Sequence, residues 1–220
     1  MQAGGPYLID FDSTLVAAET LDVLGEIALA DAPDRDARLE AVRALTDRAM
    51  AGELSFTAAL QQRLDLLQPR REHLVELIAR MSAALTPSAR RCAVFLGRAD
   101  VFVVSGGFEE VIAPVLAGLG VTPERIHANR LLVDPHGRVR GVDAASPLAH
   151  DGGKVTVARE LGGGGVMVGD GWTDLEVWLQ GAAARFYAYT EVVARPAVLA
   201  RAERTASSLD DLLRQEGIVP

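Results

Sequence analysis

The sequence is poor in cysteine and in long apolar runs, and each shortage excludes a class of protein. Cys92 is the only cysteine in 220 residues, so neither an intramolecular disulfide nor a cysteine zinc cluster can form. We therefore expect a protein of the reducing cytoplasm. The amino-terminal segment MQAGGPYLID lacks the basic and apolar regions of a secretion signal. No run approaches the ~20 apolar residues that a membrane helix needs, so we expect no membrane association.

Positive charge is also scarce. The net charge is -8, and no basic stripe appears, which argues against nucleic acid as a partner. An anionic small molecule is still compatible, because a bound cation can reverse the local field. The apolar fraction of 49% and the charged fraction of 24% are ordinary for a globular protein of one or two domains. We expect a monomer or a homodimer with a small-molecule substrate.

Short apolar runs separated by helical patterns predict the fold class. Residues 7–9, 101–104 and 166–168 are nearly continuous apolar runs, as in parallel strands that are covered on both faces. Residues 185–189 are a further candidate strand. Residues 108–119 carry apolar side chains at helical spacing. The alternation predicts an α/β protein with a Rossmann-like parallel sheet.

Two segments interrupt this alternation. From about Val16 to Met81 only helical patterns occur, which predicts a helical module inserted after the first strand. We expect a cap domain of residues 16–83 and a core domain of residues 1–15 and 84–220. Between Arg125 and Val142, the turn sequence Asp-Pro-His-Gly at 134–137 has apolar runs on either side, which predicts a small β-hairpin. The glycine run at 162–165 predicts a helix end that leads into a strand.

Acidic residues follow two of the predicted strands, at the end where parallel α/β sheets bind ligands. Asp10 and Asp12 point to the same side of a strand, so they repel unless a cation joins them or one is protonated. Mg²⁺ prefers such oxygen ligands, and Asp170 could complete its site. One carboxylate could act as a nucleophile and the other as a general acid and base. Most isolated Asp-x-Asp triplets are turns or helix caps, but the preceding strand and Asp170 favour a metal site here.

A serine-glycine segment and a lysine are candidates for phosphate binding. Ser105, Gly106 and Gly107 lie between a predicted strand and a predicted helix, where hydroxyl and backbone N–H groups suit a phosphate. A helix cap at Ser105 is the alternative, and the two are compatible. Lys154, the only lysine, begins another helical pattern and could neutralise phosphate charge. The alternative for Lys154 is an ordinary solvated side chain.

The order of these motifs resembles the four signatures of the haloacid dehalogenase superfamily. The signatures are Asp10-Phe11-Asp12-Ser13-Thr14, Ser105-Gly106-Gly107-Phe108, Lys154 and Gly169-Asp170-Gly171-Trp172-Thr173-Asp174. More narrowly, the chain looks like the phosphoserine phosphatase family over nearly its whole length. The segment Met50-Ala51-Gly52-Glu53-Leu54-Ser55-Phe56, together with Arg63 and His127-Ala128-Asn129-Arg130-Leu131, carries this closer likeness.

The resemblance implies a role for each matching residue. Asp10 would be the nucleophile that becomes an aspartyl phosphate, and Asp12 the general acid and base. Mg²⁺ would be held by Asp10, the backbone carbonyl of Asp12 and Asp170, with Asp174 supporting the site. The phosphate would be held by Ser105, Gly106 and Lys154, and the rest of the substrate by Glu19, Met50, Phe56, Arg63 and Gly107. Within that last group, Glu19 and Arg63 would bind the amino and carboxylate groups of serine.

The sequence departs from the family pattern at two places. Trp172 stands where small residues are usual, and it either reshapes the pocket or packs beside Trp178. The segment Tyr189-Thr190-Glu191-Val192 replaces a glycine-rich tail. We expect these changes to affect the choice of substrate more than the chemistry.

The expected function is hydrolysis of phosphoserine in serine biosynthesis. One alternative is the same chemistry, or phosphotransfer to an alcohol, on phosphoglycolate, a sugar phosphate or phosphohomoserine. Another is a non-catalytic binding protein on the same scaffold, which the presence of Asp10 and Asp12 disfavours. An unrelated metal-dependent transferase is disfavoured by the spread of the motifs over three predicted strand ends.

Overall fold

A parallel sheet of six strands forms the centre of the computed structural model, which describes residues 5–50 and 53–218, with only the backbone of Met50. The eight strands of the described chain are β1 (Tyr7–Ile9), β2 (Val101–Phe108), β3 (Ile126–Asn129), β4 (Leu131–Val133), β5 (Val139–Val142), β6 (Gly165–Gly169), β7 (Ala183–Tyr189) and β8 (Arg204–Ala206). The sheet order is β3-β2-β1-β6-β7-β8, and every neighbouring pair is parallel. The predicted α/β fold is confirmed.

Strand β1 lies in the middle of the sheet. Tyr7 is in register with Val101 of β2 and with Val166 of β6. Its next two residues, Leu8 and Ile9, are fully buried and belong to the apolar clusters on opposite faces of the sheet. Both faces are covered, which explains why these strands are continuous apolar runs.

Helices cover the sheet and also form a separate group between β1 and β2. The helices are α1 (Thr20–Ala28), α2 (Arg35–Met50), α3 (Phe56–Leu67), α4 (His73–Ala83), α5 (Pro87–Arg91), α6 (Ala93–Leu96), α7 (Glu109–Leu116), α8 (Gly153–Glu160), α9 (Trp172–Leu179), α10 (Pro196–Leu199) and α11 (Leu209–Gln215). Helices α1 to α4 fall within the predicted insertion. At its two ends, Val16 and Leu85 form an antiparallel bridge, and the Ala17 amide donates to the Ala84 carbonyl at 2.8 Å. The chain therefore enters and leaves this helical group at a single place.

Strands β4 and β5 pair antiparallel as the predicted hairpin. The hairpin lies against the connection between α3 and α4, where the Val139 amide donates to the Pro69 carbonyl at 2.9 Å and the Arg71 amide to the Gly137 carbonyl at 2.8 Å. The interruption predicted from Arg125 to Val142 contains more than this hairpin. Residues 126–129 form β3 at the edge of the main sheet, because Ile126 pairs in parallel with Val103 of β2.

Element boundaries also differ from the sequence prediction around residue 108. Phe108 belongs to β2, so α7 begins one residue later, at Glu109, and a 3-10 turn follows Leu116. The candidate strand at 185–189 is confirmed as part of β7, whereas the three-residue β8 was not predicted. Within residues 5–50 and 53–218, no helix combines the length and the apolar character needed to span a bilayer.

Candidate active site

The carboxyl ends of β1, β2 and β6 bring the predicted site residues together. Asp10 directly follows β1, Ser105 lies near the end of β2, and Asp170 directly follows β6. Because these three strands are neighbours in the sheet, their ends meet at one edge. All three side chains are buried, at 4% exposure or less.

Lys154 is buried between two aspartates rather than solvated. It lies at the start of α8, and its Nζ is 2.8 Å from Oδ1 of Asp10 and 2.7 Å from Oδ1 of Asp174. Burial alone would lower the pKa of Lys154, but the two carboxylates outweigh burial and raise this pKa above its ordinary value. The ammonium group therefore stays charged beside Asp10.

Asp174 packs against the end of β6 in the first turn of α9. A Cβ atom at Gly169 would lie 2.2 Å from Oδ2 of Asp174, so only glycine leaves room for this carboxylate. Oδ2 accepts a hydrogen bond from the Gly171 amide at 3.0 Å, and Oδ1 accepts from Lys154. Burial and the nearby charge of Asp10 raise the pKa of Asp174 to about 8. Since both oxygens already have donors, Asp174 is placed to support the site.

Asp12 is the carboxyl group best suited to proton transfer. Its Oδ1 accepts a hydrogen bond from the hydroxyl of Thr20, the first residue of α1. Burial raises the pKa of Asp12 to about 7; the Thr20 hydrogen bond opposes this shift and the charge of Asp10 adds to it. A carboxyl group with a pKa near neutrality can both donate and accept a proton at the working pH of most enzymes.

The aspartates form a group that could hold a metal ion. One oxygen from each of Asp10, Asp170 and Asp174 lies within 4.8 Å of the others. Burial, followed by the charge of Asp10, also raises the pKa of Asp170. A hard divalent cation suits such a set of oxygens. The Asp12 carboxylate is not part of this group, which is compatible with the expected contribution of its backbone carbonyl.

The segment 105–107 forms the floor of the pocket. The hydroxyl oxygen of Ser105 accepts a hydrogen bond from the Gly107 amide at 3.0 Å. The amide group of Asn129, which is fully buried, donates to the Gly106 carbonyl at 3.0 Å and to the Leu148 carbonyl at 3.1 Å. The alternative of a helix cap at Ser105 is wrong, because the N-cap position of α7 is Phe108. Ser105 is therefore free to serve a ligand.

The pocket above this floor lies between the inserted helices and the strand ends, and its space of about 640 Å³ includes a part that is open to solvent. The expected site residues that line it are Asp10, Asp12, Glu19, Phe56, Arg63, Ser105, Gly106, Gly107 and Lys154. Of the other expected residues, Asp170 and Asp174 lie behind this lining, next to Asp10 and Lys154. The side chain of Met50 falls outside the described part of the structure, as do residues 51 and 52 of the same sequence segment.

Arg63 is a buried cation that has no counter-ion among the described residues. Only 5% of the residue is exposed, and its guanidinium donates to the Ala59 carbonyl at 3.1 Å and to the Thr46 hydroxyl at 3.3 Å. Among the residues that the structure describes, no carboxylate lies within 4.0 Å of it. Burial lowers the pKa of Arg63, and the more distant charges of Glu19 and Asp22 oppose this shift. The guanidinium therefore keeps unmet capacity for an anion in the pocket.

Glu19 lies at the N-cap position of α1 and is held by two donors. Its Oε1 accepts from the Ser13 hydroxyl at 2.7 Å and from Nη2 of Arg195 at 3.0 Å. Nε of Arg195 lies 2.6 Å from Oδ2 of Asp170. Burial raises the pKa of Glu19 well above its usual range, and Asp12 adds to this shift. Arg195 was not predicted as a site residue, since no spacing or periodicity in the sequence distinguishes it from the other arginines.

Aromatic residues border the site in different ways. The Phe56 ring lies against Gly106 and closes one wall of the pocket. Trp172 does not line the pocket; it packs with Trp178 against the core cluster on one face of the sheet, and the Arg201 guanidinium lies 4.9 Å from its ring centre. The interpretation of Trp172 as a packing residue is therefore favoured. Its neighbour Thr173 lines the pocket and was given no role from the sequence.

Comparisons with known proteins agree with this geometry. A family profile described as haloacid dehalogenase-like hydrolase matches residues 7–178. The chloroplastic phosphoserine phosphatase of Arabidopsis thaliana is 34% identical over 211 residues, which cover 93% of this chain and 69% of that protein. Among solved structures, a phosphoserine phosphohydrolase-like protein from Francisella tularensis subsp. tularensis SCHU S4 superposes with a TM-score of 0.87 at 26% identity, over 96% of this chain and 99% of that one. A phospho-aspartyl intermediate analogue of phosphoserine phosphatase has a TM-score of 0.78 at 27% identity, over 96% and 99% of the two chains.

Proposed function

Because the chain belongs to the haloacid dehalogenase-like hydrolase family and is a phosphoric monoester hydrolase, we propose that it hydrolyses O-phosphoserine to serine and phosphate. The observation that carries the choice of substrate is the buried guanidinium of Arg63, which faces the pocket without a described carboxylate within 4.0 Å. The relatives named phosphoserine phosphatase support the same choice.

The substrate carries two charged groups besides its phosphate, a carboxylate and an ammonium. An unpaired buried cation is unfavourable, and a substrate carboxylate would remove that penalty through a paired hydrogen bond to Arg63. Glu19 also lines the pocket and can accept from the substrate ammonium group. Phe56 and Met50 would enclose the carbon atoms between these ends, and Gly107 would border them. A site with such groups rejects phosphate esters that lack the matching charges.

The proposed chemistry uses Asp10 and Asp12 in two steps. A carboxylate oxygen of Asp10 attacks phosphorus and the bond from phosphorus to the serine oxygen breaks, while Asp12 gives that oxygen a proton. Asp12 then takes a proton from the water that attacks phosphorus, and the bond from phosphorus to the Asp10 oxygen breaks, which releases phosphate and restores the Asp10 carboxylate. The Ser105 hydroxyl, the Gly106 amide and the Lys154 ammonium hold the phosphoryl oxygens. Lys154, 2.8 Å from Asp10, offsets the repulsion between the nucleophile and the phosphate.

We propose Mg²⁺ as the metal, held by Asp10, the Asp12 carbonyl and Asp170, with Asp174 in support. When bound, the cation would neutralise the phosphate and the aspartates and so stabilise charge in the transition state. The cluster of buried carboxylates supports this assignment.

We also propose that residues 16–83 act as a cap over a core of residues 1–15 and 84–220. The antiparallel bridge between Val16 and Leu85 is a narrow connection about which the helices could move. On the opposite side of the pocket, the Thr57 amide donates to Asp151 at 3.2 Å, a contact that opening would break. Closure would exclude water from the phosphate until substrate is bound. A cytoplasmic location and a monomeric or homodimeric state stay predictions.

The test is release of serine and phosphate from O-phosphoserine by the purified protein. We expect equal amounts of the two products with Mg²⁺, no turnover with EDTA, and recovery when Mg²⁺ is restored. Asp10→Asn should fold and lose at least about 10³-fold in turnover. Retained turnover in Asp10→Asn would exclude the nucleophile, and hydrolysis confined to other phosphate esters would exclude the substrate.

A further inference from the structure

Arg195 connects the metal end and the amine end of the site. Its Nε lies 2.6 Å from Oδ2 of Asp170, and its Nη2 lies 3.0 Å from Oε1 of Glu19. Its side chain is 16% exposed, and those of its two partners are 1% and 14% exposed. We propose that Arg195 is a positioning residue that holds Glu19 in place to receive the ammonium group of the substrate. This inference rests on phosphoserine as the substrate.

Glu19 needs such a partner because its surroundings are negative. Asp12 and Asp170 both repel it, and it is largely withdrawn from solvent. Its described hydrogen-bond donors are the neutral Ser13 hydroxyl and Arg195. Within residues 5–50 and 53–218, Arg195 is the one cation within 4.0 Å of Glu19. Without this cation, Glu19 would be pushed away from the other carboxylates.

The two arginines of the site have different surroundings and therefore different roles. Arg63 lines the pocket and has no described carboxylate partner, so it can take one from the substrate. Arg195 does not line the pocket, and both carboxylates that it contacts belong to the protein. It acts on the substrate through Glu19. The flat guanidinium offers donors in two directions at fixed angles, which the single ammonium of a lysine does not reproduce.

The ion pair also joins two parts of the chain. Arg195 lies in the segment after β7, whereas Glu19 immediately precedes α1, the first of the inserted helices. Arg195 thus anchors the beginning of the insertion to the sheet edge on the side where Asp170 lies. Arg195 follows residues 189–192, where the sequence departs from the family pattern, so the chain just after that departure supplies a part of the site.

The experiment compares O-phosphoserine with 3-phosphoglycerate, which carries a hydroxyl in place of the ammonium group. Arg195→Met keeps a long apolar side chain and removes the charge, and Arg214→Met removes an exposed arginine of α11 as the control. We expect Arg195→Met to raise the KM for O-phosphoserine about tenfold or more, with a KM for 3-phosphoglycerate close to that of the unmodified protein. The KM of Arg195→Lys for O-phosphoserine should lie between those of Arg195→Met and the unmodified protein. Arg214→Met should have the same KM values as the unmodified protein.

A second measurement separates positioning of Glu19 from support of Asp170. Calorimetric titration with Mg²⁺ in the absence of substrate should show that Arg195→Met still binds the metal. Lost metal binding, or equal losses on the two substrates, would overturn the inference, and so would a preference for O-phosphoserine that Arg195→Met retains. If the unmodified protein does not prefer O-phosphoserine, the proposed substrate fails and this inference fails with it. If Arg195→Met does not fold, the substrate comparison with Arg195→Lys decides.

Discussion

The ring of Phe56 lies so close to the backbone of Gly106 that a Cβ atom at position 106 would come within 2.5 Å of two ring carbons. Phe56 begins α3 of the insertion, and Gly106 is part of the proposed phosphate-binding segment. Closure of the pocket therefore depends on the absence of a side chain at this glycine. The contact joins the two proposed domains directly above the reacting groups.

Gly106→Ala should lower kcat/KM for O-phosphoserine by about tenfold or more, because the added methyl group displaces Phe56 or the phosphate-binding segment. Gly118→Ala is the matched control, since a Cβ atom there has no neighbour within 4 Å. Steady-state kinetics of Gly106→Ala, Gly118→Ala, Phe56→Leu and the double variant Gly106→Ala/Phe56→Leu would check the prediction. In the double variant the two losses should be less than additive, because one substitution relieves the clash made by the other. Simple additivity would contradict the proposed contact.

Arg63→Met should lower the activity on O-phosphoserine and raise the stability of the protein. Loss of the guanidinium should reduce kcat/KM for O-phosphoserine about 100-fold, whereas phosphoethanolamine, which lacks the carboxylate, should be affected little. Removal of a buried charge without a counter-ion should also raise the melting temperature. The control is Arg43→Met, an exposed residue of the neighbouring α2. Equal losses on the two substrates would show that Arg63 does not bind the carboxylate.

The metal-free protein should lose stability as the pH rises from about 4 to about 8. The folded-state pKa of Asp12 is raised to about 7 and that of Asp174 to about 8, from ordinary values of 3.8. At a pH between the ordinary pKa and the raised folded-state pKa of each group, the folded state binds more protons than the unfolded state. The free energy of unfolding therefore falls with increasing pH over this range. Mg²⁺ replaces these protons and should therefore raise the melting temperature more at about pH 8 than at about pH 5. A metal-free melting temperature that increases over this range would contradict the assignment.

Trp172→Ala should affect stability and leave substrate preference unchanged. The indole packs on the core cluster, the Arg201 guanidinium lies over its ring, and it is not part of the pocket lining. We expect a loss of about 1–3 kcal/mol in the free energy of unfolding, measured with urea. The ratio of kcat/KM for O-phosphoserine to that for 3-phosphoglycerate should stay the same. A change in this ratio would restore the alternative in which Trp172 shapes the pocket.

The sheet and the polar residues at the carboxyl ends of its strands could be predicted, because short-range sequence patterns encode both. Residues 7–9 are apolar throughout since strand β1 is covered on both faces, and Asp10 follows them since the strand ends there. Strand β3 was missed because Ile126 to Asn129 is short, only half-buried at its centre and followed closely by the hairpin. Its assignment depends on pairing with β2, which no local pattern encodes.

The residues of the candidate site that belong to short sequence motifs could be predicted. Those that join the site through contacts between distant parts of the sequence could not. Lys154 was recognised because it is the only lysine in the sequence and begins a helical pattern. The structure places it against Asp10 and Asp174. Arg195 escaped prediction because its partner Glu19 lies 176 positions earlier in the sequence. That no described carboxylate pairs with Arg63 is likewise visible only in the folded chain.

The most direct test of phosphoserine as the substrate is to measure kcat/KM for O-phosphoserine and for two analogues that each lack one of its charged groups, with Mg²⁺ present. Phosphoethanolamine lacks the carboxylate assigned to Arg63, and 3-phosphoglycerate lacks the ammonium assigned to Glu19. We predict that O-phosphoserine is preferred over each analogue by about 100-fold or more, because phosphoethanolamine brings no carboxylate to Arg63 and 3-phosphoglycerate brings no charged donor to Glu19. Comparable values for all three esters would contradict the assignment of phosphoserine as the substrate.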